Sequence, residues 1–324
     1  MNRDAYELYQ QLRPLLQDLE RQRLSLRRRV FAAGAFLSVV FVLILWRVMV
    51  AATFQDVWLG LMVGVALAAV ASQFWKTAWQ RYRSAFKAHV ISRSLSLFGR
   101  DLYYDPEGYV DELSFSASRL FDFEIARFSG EDLVSGRRHG VAFRVSETQA
   151  ERDENIDKRN PQPSYATFFR GLFFTADYSK PFLGETFILP ANLLAKANRS
   201  MWQGRGATVR LEDPDFNRFF EVYTDDQVTA RYLLTTKMMA RLSDFRRKHK
   251  AAVYASLIDG TLNVAIAASK NLFEPPLHKT LLDLNLYADY LSDLALIMDI
   301  AEDLDLSTDD PKGLDAFEGK KAKK

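Results

Sequence analysis

The chain has 324 residues, a length that suits one good-sized domain with accessory segments or two small domains. Of these residues 48% are hydrophobic and 13% aromatic, which is ample for a packed core. Its 43 basic and 41 acidic residues leave a net charge of +2, so the overall charge gives no reason to expect nucleic-acid binding. The absence of cysteine excludes disulfides, thiolate metal sites and a cysteine nucleophile.

Two uncharged apolar runs near the N-terminus predict a transmembrane helical hairpin over residues 30–75. The first run is Val30–Trp46 and the second is Val57–Trp75, and each is close to the length that crosses a bilayer. Lysine and arginine concentrate before the first run and after the second, which predicts that both termini are cytoplasmic. The alternative is a buried helical hairpin of a soluble protein.

Small residues spaced four apart on the second run predict close helix packing within the hairpin. The same stripe could instead join two hairpins. The four residues are Gly60, Gly64, Ala68 and Ser72.

Both runs are predicted to continue as helices outside the bilayer. Residues 1–29 form a basic amphipathic helix and residues 76–99 a basic stalk helix, and Pro14 predicts a kink or break in the first. The two could pair as a stalk or lie on anionic lipid headgroups, in which case the basic helices would bind lipid.

Residues 100–306 are predicted to form one α+β domain with a mainly antiparallel sheet and segregated helices. Alternation predicts strands at 121–125 and 141–145, and the aromatic run 165–178 predicts a central strand with a bulge or close backbone approach at Gly171. Residues 147–164 are charged and predict an exposed loop.

The second half of this domain is predicted to mix strands with three helices. Asp213-Pro214 marks a short helix, and longer helices are expected over about 226–248 and about 276–305. Asp259-Gly260 predicts a tight hairpin turn between them. The polar segment 307–324 is predicted to be a disordered tail.

A polar cluster at the junction of a predicted strand and helix is the candidate interaction or structural motif. Asp225 or Asp226 can cap the helix, and Gln227 and Arg231 share a helix face. The alternative is a hydrolase or transferase site that uses Asp226, Arg231 or Asp177. The motif consists of Tyr223, Asp226, Gln227, Arg231 and Tyr232.

Known catalytic and cofactor signatures are missing from the sequence. The four histidines stand far apart, without metal-ligand spacing, and no nucleophile elbow, P-loop or dinucleotide fingerprint is present. No catalytic residue, cofactor or metal ligand is therefore predicted.

Four segments resemble the bacterial domain-of-unknown-function family 3137. They are FNRFFEVYTDDQVTARYLL, GED at Gly130–Asp132, FFRGLFFTADYSKPF and NLFEPPL. The resemblance implies an uncharacterised two-span inner-membrane protein with a cytoplasmic C-terminal domain, and the family has no assigned activity. Its members often carry a proline soon after the two leucines, where this chain has Thr235-Thr236.

Taken together, the patterns predict a membrane-anchored cytoplasmic binding or scaffolding domain in the bacterial inner membrane. Its expected partners are the lipid bilayer and an unidentified protein or small ligand, and nucleic acid is not expected. The alternatives are the membrane-tethered enzyme and the anionic-lipid-binding protein described above.

Overall fold

The computed structural model divides into two compact units, and it describes residues 3–51, 54–138, 141–154, 164–178, 182, 184–191, 206–268 and 271–303. We call Met1–Leu97 with Phe273–Leu291 the helical unit, and Phe98–Leu272 with Ser292–Lys324 the sheet unit. The predicted tail 307–324 and the centre of the predicted loop, 155–163, lie outside the described residues.

The helical unit is built on two long helices. Helix α1 spans Arg3–Ala51 and α2 spans Phe54–Phe86, which continues as a π-helical turn, Lys87–Ile91, and a short helix α3, Ser92–Leu95. The buried side chains of the first half of α1 alternate at spacings of three and four, which is the spacing of a helix-packing seam. They are Ala5, Tyr9, Leu12, Leu16, Leu19, Arg23 and Leu26. Because α1 is continuous through Pro14, the predicted break there is wrong.

The segment Phe273–Leu291 packs on these helices. The Tyr9 hydroxyl donates to the Leu282 carbonyl at 2.7 Å, and the Tyr9 ring lies 5.4 Å from that of Tyr287. The Tyr287 hydroxyl is 3.1 Å from that of Ser94. A piece of chain far away in sequence therefore completes the core of the helical unit.

The predicted transmembrane hairpin is wrong. Among the described residues, no helix has the combination of length and apolar character that crossing a bilayer requires. The runs 30–46 and 57–75 are parts of α1 and α2, each of which also carries charged turns. This finding overturns the two spans, the multi-pass inner-membrane localisation with cytoplasmic termini, and the membrane part of the predicted fold.

The sheet unit confirms the predicted antiparallel α+β architecture. Its described strands form one sheet in the order β1-β2-β3-β4-β9-β8-β5-β7-β6, and every pairing is antiparallel. The strands are β1 (Leu102–Asp105), β2 (Arg127–Arg138), β3 (Val141–Asp153), β4 (Tyr165–Asp177), β5 (Thr186–Pro190), β6 (Ala207–Val209), β7 (Phe220–Thr224), β8 (Val253–Ile258) and β9 (Thr261–Ala267).

Local turn chemistry sets part of this order. Asp259 and Gly260 have φ angles of 50° and 74°, the pair of positive values that a tight hairpin turn requires, so β8 and β9 pair as predicted. Gly171 in β4 has φ 154°, and a Cβ there would lie 2.0 Å from the Ile266 carbonyl oxygen of β9. The predicted close backbone approach at Gly171 is thus confirmed.

Five further helices follow β1 in the described part of the chain. They are α4 (Glu112–Ala117), α5 (Pro214–Phe219), α6 (Gln227–Leu233), α7 (Thr236–His249) and α8 (Leu284–Asp303). The predicted helix over 226–248 is divided at Leu234, whose ψ of 68° is not helical. The last helix begins eight residues later than predicted.

An aromatic cluster on one face of the sheet forms the core. Phe115 of α4 lies 4.9 Å from Phe173 and 5.5 Å from Phe169 of β4, measured between ring centroids. Phe121 joins it at 5.1 Å from Phe169. The predicted strand 121–125 is wrong, since these residues form a loop whose aromatic side chains cover β4.

The predicted loop 147–164 is wrong over its first part. Residues 147–153 belong to β3, where residues 147–151 pair with β2 on one side and the whole segment pairs with β4 on the other. Charged side chains are compatible with a strand here because antiparallel sheets can expose one face to water.

Candidate functional site

The predicted polar motif lies where β7 ends and α6 begins. Asp226 caps α6, with its carboxylate accepting from the Val228 amide at 2.9 Å and the Thr229 hydroxyl at 2.7 Å. The Thr229 hydroxyl, followed by the Thr229 and Val228 amides, lowers the pKa of Asp226. The helix start therefore accounts for the carboxylate.

Arg231 and Tyr223 of the motif have partners of their own. The Arg231 guanidinium pairs with the Glu212 carboxylate and also contacts the Arg210 carbonyl. Tyr223 is buried, and its hydroxyl lies 3.1 Å from the Glu221 carboxylate. Gln227 is exposed and Tyr232 half-buried. Asp226 and Arg231 thus serve separate local contacts, and the alternative of a hydrolase or transferase site that uses Asp226, Arg231 or Asp177 stays a prediction.

Two of the predicted basic lipid contacts are engaged inside the helical unit. Lys87 is 1% exposed, and its Nζ atom lies 3.2 Å from a carboxylate oxygen of Glu274. Arg83 Nε lies 2.6 Å from the same oxygen. These two cations hold the segment that follows Phe273 and are not directed to a lipid surface.

The predicted small-residue stripe lies along α2. Ala68 and Ser72 line a groove between α1 and α2, opposite Gly34, and Gly64 is half-buried. The surroundings of Gly60 lie outside the described side chains. The packing role of the stripe stays a prediction.

A cleft in the sheet unit brings together residues that the sequence does not mark as a site. Its volume is about 260 Å³, and it lies over β2, β3 and β4 beside the segment that follows β9. The lining includes Glu131, Glu147, Arg170, Asn271 and Leu272. Three of the four segments that resemble the family therefore meet at this cleft: GED, FFRGLFF and NLFEPPL.

A β-bulge beside the cleft brings three carboxylates together. The pairing of β2 with β3 shifts between Glu131 and Val134, and Asp132 takes a left-handed conformation with φ 62°. A bulge redirects a side chain that strand alternation would place on the opposite face. As a result, one carboxylate oxygen from each of Glu131, Asp132 and Glu147 lies within 4.8 Å of the others.

Hydrogen bonds hold two of these carboxylates in place. Asp132 is 1% exposed and accepts from the Tyr104 hydroxyl, while its amide donates to the Pro106 carbonyl at 3.2 Å. Glu147 accepts from the Leu272 amide. Oxygen ligands of this kind suit hard cations such as Mg²⁺, Ca²⁺ or Mn²⁺, so these three residues could hold such an ion.

Like charges face each other in the cleft. Glu131 and Glu147 stand directly opposite each other on neighbouring strands, and facing like charges destabilise a sheet. Leu172 of β4 pairs with Glu147, and Arg170, two residues before Leu172, points to the same face of the sheet. The Arg170 guanidinium donates a hydrogen bond to the Asn271 side-chain oxygen. The cleft thus offers two converging carboxylates at one side and a guanidinium with an amide at the other.

Sequence reasoning missed this cleft because its members are distant along the chain. One local signal was present: glycine and aspartate are depleted in strands, so Gly130 and Asp132 within β2 are typical of an irregularity such as a bulge. Nothing local indicates that Glu147 and Arg170 share its face.

Comparison with known proteins gives a family-model match over part of the chain and one distant structure. Residues 167–306 match the family model described as "Protein of unknown function (DUF3137)", which supports this domain family over that range. No curated protein matches the chain. The crystal structure of the mycobacterial trehalose monomycolate transport factor A, TtfA, is similar with a TM-score of 0.31 and 10% identity, over 70% of this chain and 96% of that one.

Proposed function

We propose that the chain is a binding protein whose sheet unit holds a small ligand with a positively charged group in the cleft over β2, β3 and β4. The observation that carries this proposal is the convergence of the Glu131, Asp132 and Glu147 carboxylates at the bulge. Glu131 and Glu147 line the cleft and Asp132 lies buried beside them, so a positively charged ligand in the cleft brings opposite charge to a place where the fold has gathered like charge.

The size and lining of the cleft restrict the ligand class. A volume of about 260 Å³ suits an ion with its water shell or a small organic ammonium compound. Arg170 and Asn271 supply a cation and an amide for the polar remainder of such a ligand. A divalent cation and an ammonium group both carry the positive charge that attracts the carboxylates.

Thermal unfolding of the full chain tests the proposal. The melting temperature would be measured with manganese chloride, calcium chloride or ethanolamine hydrochloride, each matched in ionic strength by sodium chloride. A ligand at about 100 times its Kd stabilises the native state by about 2.7 kcal/mol, so a rise of several degrees is expected with one of them. Comparison of the melting temperatures with the divalent salts and with ethanolamine shows whether the cleft binds a metal cation or an ammonium group.

Two matched variants assign any effect to the cleft. Glu147→Gln keeps an oxygen for the Leu272 amide but removes the charge, and we expect it to abolish the shift. Glu124→Gln, an exposed residue of the same unit, is expected to keep it. Equal shifts in both variants, or no shift above the sodium chloride control in the wild type, would rule the proposal out.

A further inference from the structure

The groove between α1 and α2 in the helical unit is a second cavity with a different chemistry. Its volume is about 720 Å³, within the usual range for small-molecule sites. We propose that this groove binds a single-chain amphiphile with an anionic head group.

Small residues give the groove its depth. Ala33 and Gly34 of α1 face Ala68 and Ala71 of α2 across it. A Cβ placed on Gly34 would meet nothing within 4 Å, so the helices leave open space at this level. Side chains of this size cannot fill the gap between two helices, and a ligand can enter it.

The walls of the groove are mostly apolar. Leu26, Val30 and Leu37 line it from α1, and Phe74 and Trp75 line it from α2. Leu26 and Leu37 are eleven residue steps apart, which is a rise of about 16 Å at 1.5 Å per residue. An elongated apolar ligand such as an acyl chain matches this shape and lining better than a compact polar one.

Two arginines give the groove a charged end. Because α1 and α2 are consecutive and pack side by side, Arg29 and Arg81 fall at the same end of the groove. Both are exposed, and neither forms an ion pair with a described residue. Arginine binds carboxylate and phosphate through paired N–H groups, so this end is complementary to an anionic head group.

Carboxylate and phosphate head groups share this chemistry, and the experiment separates them. The full chain would be titrated with laurate and with a lauroyl lysophosphatidic acid, each below its micelle concentration, and with the uncharged monolaurin. Because Trp75 lines the groove, tryptophan emission reports occupancy. We expect saturable binding of at least one anionic amphiphile, tighter than binding of monolaurin.

Three variants test the two parts of the groove. The double variant Arg29→Gln/Arg81→Gln should weaken binding of the anionic amphiphile by about tenfold or more and leave that of monolaurin unchanged. Gly34→Leu should fill the open space and abolish binding of both. Arg13→Gln, an exposed arginine of α1 outside the groove, is the matched control and should bind as the wild type does.

Several results would overturn the assignment. They are an absence of saturable binding by the wild type, equal affinity in the double variant, and binding unchanged in Gly34→Leu. Analytical ultracentrifugation of the same samples tests whether a second copy of the chain occupies the groove. A wild-type dimer that Gly34→Leu converts to a monomer would show that the groove is a protein interface instead. None of these outcomes depends on the cleft in the sheet unit.

Discussion

At the residue scale, Gly171 is the position where a single methyl group matters most. The backbone of β4 there approaches β9 so closely that a Cβ would lie 2.0 Å from the Ile266 carbonyl oxygen and 2.8 Å from the Ala268 amide nitrogen. The Ala268 amide donates to the Arg170 carbonyl, so the approach is part of the ladder that borders the cleft. Any side chain must push the two strands apart.

Gly171→Ala is therefore expected to destabilise the sheet unit by about 3 kcal/mol or more, since it combines overpacking with an unfavourable φ. Gly260→Ala is the control, because that glycine also has positive φ but open space around it. Its expected cost is about 1 kcal/mol. Urea unfolding of both variants measures the difference, and equal costs would contradict the steric argument.

The ion pair of Glu20 and Arg23 links α1 to the segment after Phe273. Arg23 is 4% exposed, and its guanidinium donates to the Glu20 carboxylate and, at 2.7 Å, to the Leu277 carbonyl. Glu20 also accepts from the Leu281 amide at 3.0 Å. Burial works to raise the pKa of Glu20, but these hydrogen bonds from Arg23 and Leu281 outweigh it and hold the pKa below its ordinary value.

A lowered pKa in the folded state predicts acid sensitivity of the helical unit. The stabilisation from Glu20 is complete above the ordinary glutamate value of about 4.3 and is lost as the pH falls through the lower folded value. Urea midpoints of α-helical circular dichroism at pH 7 and at progressively lower pH would measure this. Glu20→Gln should show a smaller loss over the same interval, and an identical pH profile would refute the role of this carboxylate.

At the element scale, the division between α6 and α7 is set by capping. Thr235 is extended, with φ −62° and ψ 159°, and its hydroxyl accepts from the Met238 amide. Thr236 is then the first residue of a helix, where an amide has no intrahelical acceptor. One continuous helix would instead require the Thr236 amide to donate to the carbonyl four residues before it.

Thr236→Pro separates these two structures. Proline is favoured at the first helical position, and the extended Thr235 is the conformation that a following proline requires, so we expect no loss or a gain of about 0.4–1 kcal/mol. Ala240→Pro, at an exposed interior position of α7, should cost about 3 kcal/mol or more. A similar loss in both variants, measured by thermal unfolding, would indicate a continuous helix.

At the scale of the whole molecule, the helical unit is discontinuous in sequence. It takes its partners from Phe273–Leu291, more than 170 residues after Leu97. Tyr9 and Arg23 bond carbonyls of this segment, and Arg83 and Lys87 lie against the carboxylate of Glu274. Buried polar groups in the first 97 residues therefore depend on the segment Phe273–Leu291 for their hydrogen-bond and ion-pair partners.

Replacing residues 276–282 by a glycine-serine linker of equal length should expose this dependence. It removes the buried Leu281 and the fixed positions of the Leu277 and Leu282 carbonyls, so amide hydrogen exchange in the first half of α1 should accelerate by at least tenfold. A control that replaces only the exposed residues 278 and 279 should exchange as the wild type does. Unchanged protection of α1 in the full replacement would contradict the proposed dependence.

The features that could be predicted from sequence are those that local chemistry determines. Asp259-Gly260 specified a hairpin, Asp213-Pro214 a helix start and Asp226 a cap, because a turn or cap depends on a few neighbouring residues. The strand β4 was predicted from its nearly continuous aromatic run, and the antiparallel α+β class from consecutive strands, hairpin turns and segregated helices. The division at Thr235 could have been found from the same capping signal, but the apolar period of the longer segment concealed it.

Only the tertiary structure decided where distant groups meet. Phe121 and Phe123 alternate as a strand would, yet they cover β4 from a loop, because apolar burial is not directional and a loop can satisfy it. The runs at 30–46 and 57–75 are parts of longer helices that also carry charge, and no described helix meets the requirement for crossing a bilayer. The sequence by itself thus determined the elements with local signals. The cleft at Glu131, Glu147 and Arg170 depended on a bulge and on strand register, which long-range pairing alone sets.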